Sequence, residues 1–93
     1  MNNNYEWIPV PYMKRGIEQY IEQGLEPGGF LKALIQNDLR EAVARADINN
    51  SAALADWVRA LYNYAPSGCW GSPEAYEQWV AHKGLAGRSE VKA

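Results

Sequence analysis

Leu54-Ala55-Asp56-Trp57-Val58-Arg59-Ala60-Leu61-Tyr62 decides the fold class. Apolar residues recur at 54, 57, 58, 61 and 62, the spacing of an amphipathic helix, and no stretch of the chain alternates with the two-residue period of a strand. The pattern runs on to Tyr64 and stops at Ala65-Pro66, because proline disfavours helical backbone in the residue before it. At the other end Asn49 or Asn50 is expected to cap this helix with its side-chain oxygen. Beyond the proline, Ser72-Pro73-Glu74 opens another helix: a cap, a proline at the first helical position and an acid in the first turn. Tyr76, Trp79 and Val80 form its buried stripe and Gly84 closes it, leaving residues 85–93 as a mixed polar tail expected to fray.

Toward the N-terminus, Phe30/Leu31, Leu34/Ile35, Leu39, Ala42/Val43 and Ala46 keep helical phase as far as Asp47. Asn37-Asp38 interrupts them with two residues that favour caps over helix interiors. The unbroken phase favours one kinked helix across residues 28–46; the alternative is a break at Asn37, with Asp38 capping a second helix. Leu25-Glu26-Pro27-Gly28-Gly29 is a turn by its own chemistry. Before it, Pro11 starts a helix with Met13, Ile17, Tyr20 and Ile21 on one face, Glu18 and Glu22 on a solvated face, and Gly24 at its end. Gly16 lies inside that helix, where a missing side chain permits the close approach of another backbone. Residues 1–10 read as an irregular arm that lays Tyr5, Trp7 and Ile8 across the domain. The reading is all-α: a small single-domain bundle, residues 1–93, of four or five short helices.

Ninety-three residues support one modest core, since a chain this short buries about 60–65% of its unfolded surface. With 47% apolar and 22% charged residues the composition is that of a folded domain. Nine basic against eleven acidic residues lack the positive footprint of a general nucleic-acid or acidic-membrane binder. No apolar run is long enough to span a membrane, and Met1-Asn2-Asn3-Asn4 reads as neither the basic nor the apolar part of a secretion signal. A cytoplasmic chain is expected.

Catalysis needs paired titratable groups, an activated nucleophile or a metal. The one cysteine, Cys69, and the one histidine, His82, lie on different elements with nothing in their spacing to join them. Cys69 reads as a small buried residue and His82 as a group favouring a helix C-terminus. Asp38, Glu41 and Asp47 with Arg40 and Arg45 read as a solvated face held by ion pairs. Asp47-Ile48-Asn49-Asn50-Ser51 lacks the glycine and the terminal acid of a calcium loop. Gly28-Gly29 reads as a plain turn rather than an anion cradle. No catalytic residue, metal ligand or cofactor site is expected.

One segment exceeds structural need. Six of the eleven aromatic residues lie from Trp57 to Trp79. Trp57, Tyr62, Tyr76 and Trp79 have helical phase and read mainly as core, whereas Tyr64 and Trp70 follow from no stripe. They flank Ser67 and Gly68 in a proline-bounded loop, where an aromatic either plugs the core or offers a flat apolar face to a partner.

Asn37-Asp38-Leu39-Arg40-Glu41-Ala42-Val43-Ala44-Arg45-Ala46-Asp47, with Leu61-Tyr62-Asn63-Tyr64-Ala65-Pro66 and Cys69-Trp70-Gly71-Ser72-Pro73-Glu74, resembles a group of small accessory proteins of tailed phages and prophages. The segment from Tyr12-Met13 to Gly24 and the turn Pro27-Gly28-Gly29-Phe30-Leu31 are similar to it too, so the likeness covers residues 8–80. It brings no catalytic residues. What it implies is a phage gene product acting in the bacterial host cytosol, and proteins of that class commonly act by binding.

Two functions lead. The first is inhibition or modulation of a host protein or defence complex by protein contact, anchored by Trp70 and Tyr64 with Trp7 as a third anchor. The second is an oligomeric sponge for a nucleotide defence signal, with Tyr62, Tyr64 or Trp70 stacking bases and Arg40, Arg45 or Arg59 meeting phosphate. A homo-oligomer is compatible with both. A DNA-binding regulator is disfavoured by the negative charge and by a helix from Asn50 to Tyr64 that offers only Asp56, Arg59 and Asn63. A phage structural factor remains a further alternative.

Overall fold

Val10 is extended before Pro11, and the computed structural model, which describes residues 5–87, begins its helical structure there. A 3-10 turn, Pro11–Met13, leads directly into α1 (Lys14–Gln23). Then follow α2 (Gly29–Ile35), α3 (Leu39–Arg45), α4 (Ile48–Ala52), α5 (Leu54–Tyr64) and α6 (Pro73–Ala81). The protein is all-α; five of these six helices have seven residues or more, and no strand occurs among the described residues.

Residues 28–46 form two helices, not one kinked helix. Asn37 adopts left-handed backbone with φ 64°. Its N–H donates to the Leu34 carbonyl (3.0 Å), and the Asp38 N–H reaches back to the Ala33 carbonyl (2.9 Å). This crossed pair satisfies the last carbonyls of α2, with asparagine in the place glycine usually takes. The Asp38 side chain then accepts from the Glu41 N–H and caps α3. Local hydrogen bonding by Asn37 and Asp38 thus outweighs apolar phase, and α3 turns back to pack closely on α2. The reversal leaves Ala42 as the buried residue of α3 and exposes Leu39 and Val43, which the phase argument had grouped with the core.

The cap before α5 also differs from expectation. Asp47 caps α4 by accepting from the Asn50 N–H (2.8 Å), while Asn49 and Asn50 lie inside that helix. Asn50 is buried because its side-chain oxygen accepts the Trp57 indole N–H at 2.9 Å. The asparagine therefore orients the core tryptophan of α5 instead of capping it. The C-terminal end of α5 and the start of α6 match the sequence: Ala65 is extended before Pro66, and the Ser72 hydroxyl accepts from the Ala75 N–H; α6 itself ends at Ala81 with His82 as its C-cap, three residues before the Gly84 expected to close it.

Trp57, Trp79, Tyr20, Ile17, Ile21, Leu31, Ile35 and Leu61 form the centre of the core. The Trp79 indole N–H donates to the carbonyls of Tyr20 (3.0 Å) and Ile21 (3.2 Å), fastening α6 to the end of α1. Those ends meet through two left-handed glycines, Gly24 and Gly84. A Cβ on Gly84 would stand 2.6 Å from the Ile21 carbonyl oxygen and 2.7 Å from the Gly24 nitrogen. The approach is possible only without side chains. Gly16 serves differently: its missing side chain makes room for the Leu31 side chain of α2, not for a backbone.

The arm lies across the domain as expected, with Tyr5, Ile8 and Val10 buried. The Tyr5 hydroxyl donates to Glu22 Oε2 (2.6 Å), so Glu22 anchors the arm while sitting at the edge of its solvated face. At the other terminus residues 84–87 make a further helical turn and Leu85 packs against the core, so the expected fraying does not begin at 85. The rest of the tail and residues 1–4 lie outside the described residues.

Candidate functional site

The loop after α5 is held from beneath. The Cys69 carbonyl accepts the Tyr20 hydroxyl (2.7 Å), and the Gly71 N–H donates to the Ile35 carbonyl (2.7 Å) at the end of α2. Burial raises the Tyr20 pKa well above the usual tyrosine value, so this hydroxyl stays a donor at any physiological pH. Cys69 is buried, as the sequence suggested. Pinned on both sides, the loop sets Trp70 half-buried in the lining of a small cleft to which α3 and α5 contribute. The cleft, of about 40 Å³, is lined by Leu34, Asn37, Asp38, Leu39, Ala42, Leu54, Val58 and Trp70.

The two helices that contribute to its lining also expose apolar side chains. Leu39 and Val43, four residues apart on α3, are 64% and 51% exposed; Val58 and Tyr62, four apart on α5, are 42% and 80% exposed. Spacing of four places each pair on one helix face, and Leu39 and Val58 both line the cleft. Tyr62 is therefore not core: in α5 only Trp57, Ala60 and Leu61 are buried, and the stripe is narrower than its period suggested. Trp70 is half-buried and packs against the core, as the plug reading expected.

The remaining candidates separate into two groups. Tyr64 is exposed and stacks on Trp7 (centroids 5.8 Å apart, planes at 20°), and Trp7 also meets Tyr5 at 5.7 Å. Trp7 and Tyr64 thus form a stack that holds the arm. Ser67 and Gly68 lie exposed at the turn of the loop. Of the arginines, Arg45 pairs with Glu41 (2.9 Å) and Arg59 with Asp56 (2.8 Å), both on the surface, while Arg40 makes no ion pair among the described residues. Of the acidic cluster, Glu41 alone is ion-paired, with Arg45, while Asp38 and Asp47 serve as the caps of α3 and α4. No group of three or more potential ligands able to hold a metal occurs among the described residues.

His82 ends α6, its ring edge-on to Trp79 and its Nδ1 3.2 Å from the Gly84 carbonyl. A polar latch ties the start of the helical structure to α4: the Tyr12 hydroxyl donates to Asp47 and accepts from Asn49 Nδ2 (3.4 Å). That bond raises the Tyr12 pKa and lowers that of Asp47.

Sequence reasoning missed Leu39, Val43 and Val58 as surface residues. The signal was present in Asn37-Asp38: a helix restarted by a cap is free to turn its former stripe outward. No family model, curated protein or solved structure matches this chain. No described helix is long and apolar enough to cross a membrane.

Proposed function

We propose that this chain is a phage-type accessory protein that acts by binding a host protein or defence complex, without catalysing a reaction, and that the α3–α5 face is its contact surface. The observation that carries the reading is the exposure of Leu39 and Val43 on α3 and of Val58 and Tyr62 on α5, with Leu39, Val58 and Trp70 lining one cleft. Monomeric proteins seldom leave apolar patches of more than a few hundred Å² uncovered, and tyrosine and tryptophan dominate binding energy. The likeness to phage and prophage accessory proteins supplies the host setting.

The nucleotide-sponge alternative draws less support. Of the three arginines weighed for phosphate, Arg45 and Arg59 are already paired with Glu41 and Asp56, which leaves Arg40 as the one without an ion pair among the described residues. The cleft lined by Trp70, of about 40 Å³, is far smaller than the several hundred Å³ of a usual small-molecule site, and the depression of about 350 Å³ beside Arg45 has no aromatic ring in its lining to stack a base. The test compares wild type with Leu39→Asp and Val58→Asp in quantitative capture from host lysate. A target retained by wild type and lost by both folded variants supports the reading. A target captured equally by all three refutes it, and a thermal shift with a cyclic or linear dinucleotide supports the sponge instead.

A further inference from the structure

We infer that residues 5–10 are a strained strap that lifts off the helical domain as a unit while the helices stay folded, giving the protein a second, open form. This device goes beyond the binding reading and does not depend on it. Lifting frees the Trp7 ring and the side of Tyr64 that Trp7 covers.

The first observation is strain. Tyr5 holds left-handed backbone with φ 60°, although it is a bulky residue and 1% exposed. A side chain of this size enters that region only where its surroundings force it, and such positions gather at switches and clamps. Lifting lets Tyr5 return to ordinary backbone. The second is fastening. The Tyr5 hydroxyl donates to Glu22 on α1 at 2.6 Å, and the Trp7 ring lies on Tyr64 at the end of α5, with centroids 5.8 Å apart. Both are side-chain contacts, and the second stands at the surface, where Tyr64 is 59% exposed. The third is balance. Closing buries Tyr5, Ile8 and Val10 but orders the backbone of six residues, and these opposing effects are of similar size. The fourth is the hinge. Val10 is extended between Pro9 and Pro11, and Pro11 opens the helical structure. Prolines stiffen this stretch, so the arm swings there without unwinding α1.

The experiment is thiol labelling of the native full chain carrying Ile8→Cys and Cys69→Ala, which leaves one thiol, at a buried position of the arm. The rate is read in rising sub-denaturing urea and again with each of three further substitutions. A lifting arm gives a rate that changes little with urea, because little surface opens. Leu31→Ala weakens the core beneath the helices and is expected to leave the rate unchanged, whereas labelling through global unfolding rises more than about thirtyfold. Tyr5→Phe removes the bond to Glu22 and is expected to raise the rate at least about tenfold. Trp7→Ala removes the surface stack and raises it several-fold; it carries the test alone if Tyr5→Phe lacks full far-UV helicity. A rate that climbs with urea in step with global unfolding, a rise with Leu31→Ala, or no change in a folded fastening variant overturns the inference.

Discussion

Replacing Gly84 by alanine tests the packing that sets α6 against α1. Two separate costs apply. Left-handed backbone costs a non-glycine residue about 1–2 kcal/mol, and Gly84 has φ 63°. The added Cβ would also stand 2.6 Å from the Ile21 carbonyl oxygen and 2.7 Å from the Gly24 nitrogen. Both obstacles are backbone, so relief requires the two helix ends to separate, at the 1–3 kcal/mol typical of overpacking. Gly84→Ala is therefore expected to lose about 2–5 kcal/mol out of the 5–14 kcal/mol available to a domain of this size. Two controls divide the total. Gly71 has φ 115° with open space around it, so Gly71→Ala carries strain alone and loses about 1–2 kcal/mol. Gly28 has ordinary backbone and open space, so Gly28→Ala stays within about 0.5 kcal/mol of wild type. Urea unfolding followed by tryptophan fluorescence measures all three. Equal losses at Gly84 and Gly71, or a Gly84→Ala midpoint matching wild type, refute the close approach of the two helix ends.

Other outcomes follow from single contacts. Asn50→Ala leaves the buried Trp57 indole N–H without its acceptor and is expected to cost about 1–3 kcal/mol by urea unfolding. Asn37→Val places a β-branched residue at φ 64° and loses about 1–2 kcal/mol, whereas Asn37→Gly stays near wild type; equal midpoints argue against a left-handed break there. Leu39→Ser and Val43→Ser change stability by less than about 0.5 kcal/mol, because both residues are already solvated, while Leu31→Ala in the core loses about 2–5 kcal/mol. Tyr76, pushed up to about 12 by burial beside Glu26, keeps its proton in the folded state after the unfolded chain has begun to ionise near pH 10. Its contribution is complete below pH 10 and lost as pH rises toward 12, so the urea midpoint of Tyr76→Phe falls less steeply over that window.

The all-α class was legible from the 3.6-residue period at Leu54–Tyr62 and from punctuation at Pro11, Gly24, Ala65-Pro66 and Ser72-Pro73. These signals are local, and local chemistry decides them. What periodicity could not reveal was the outcome of competition between local and collective terms. The apolar phase through Leu39 and Val43 pointed to one helix; the hydrogen bonds of Asn37 and Asp38 broke it and turned those residues to solvent. Asn50 likewise had the composition of a cap, yet a tryptophan seven residues on drew it into the core. The candidate face was legible only in part for the same reason. Trp70 stood out as a ring outside any stripe, but Leu39 and Val43 became surface through the reversal between α2 and α3, and Val58 and Tyr62 because α5 buries only Trp57, Ala60 and Leu61. The arm followed its aromatic content, though its attachment to Glu22 needed the fold to bring residues 5 and 22 together.

The most direct measurement is side-chain footprinting of the full chain, labelled once at nanomolar concentration in buffer and once in host lysate. Labelling of Leu39, Val43, Val58 and Tyr62 is expected to be strong in dilute buffer and to drop several-fold in lysate, while exposed positions on α6 such as Glu77 stay unchanged. Equal labelling of the four residues in both conditions, or protection confined to other helices, contradicts a working role for this face.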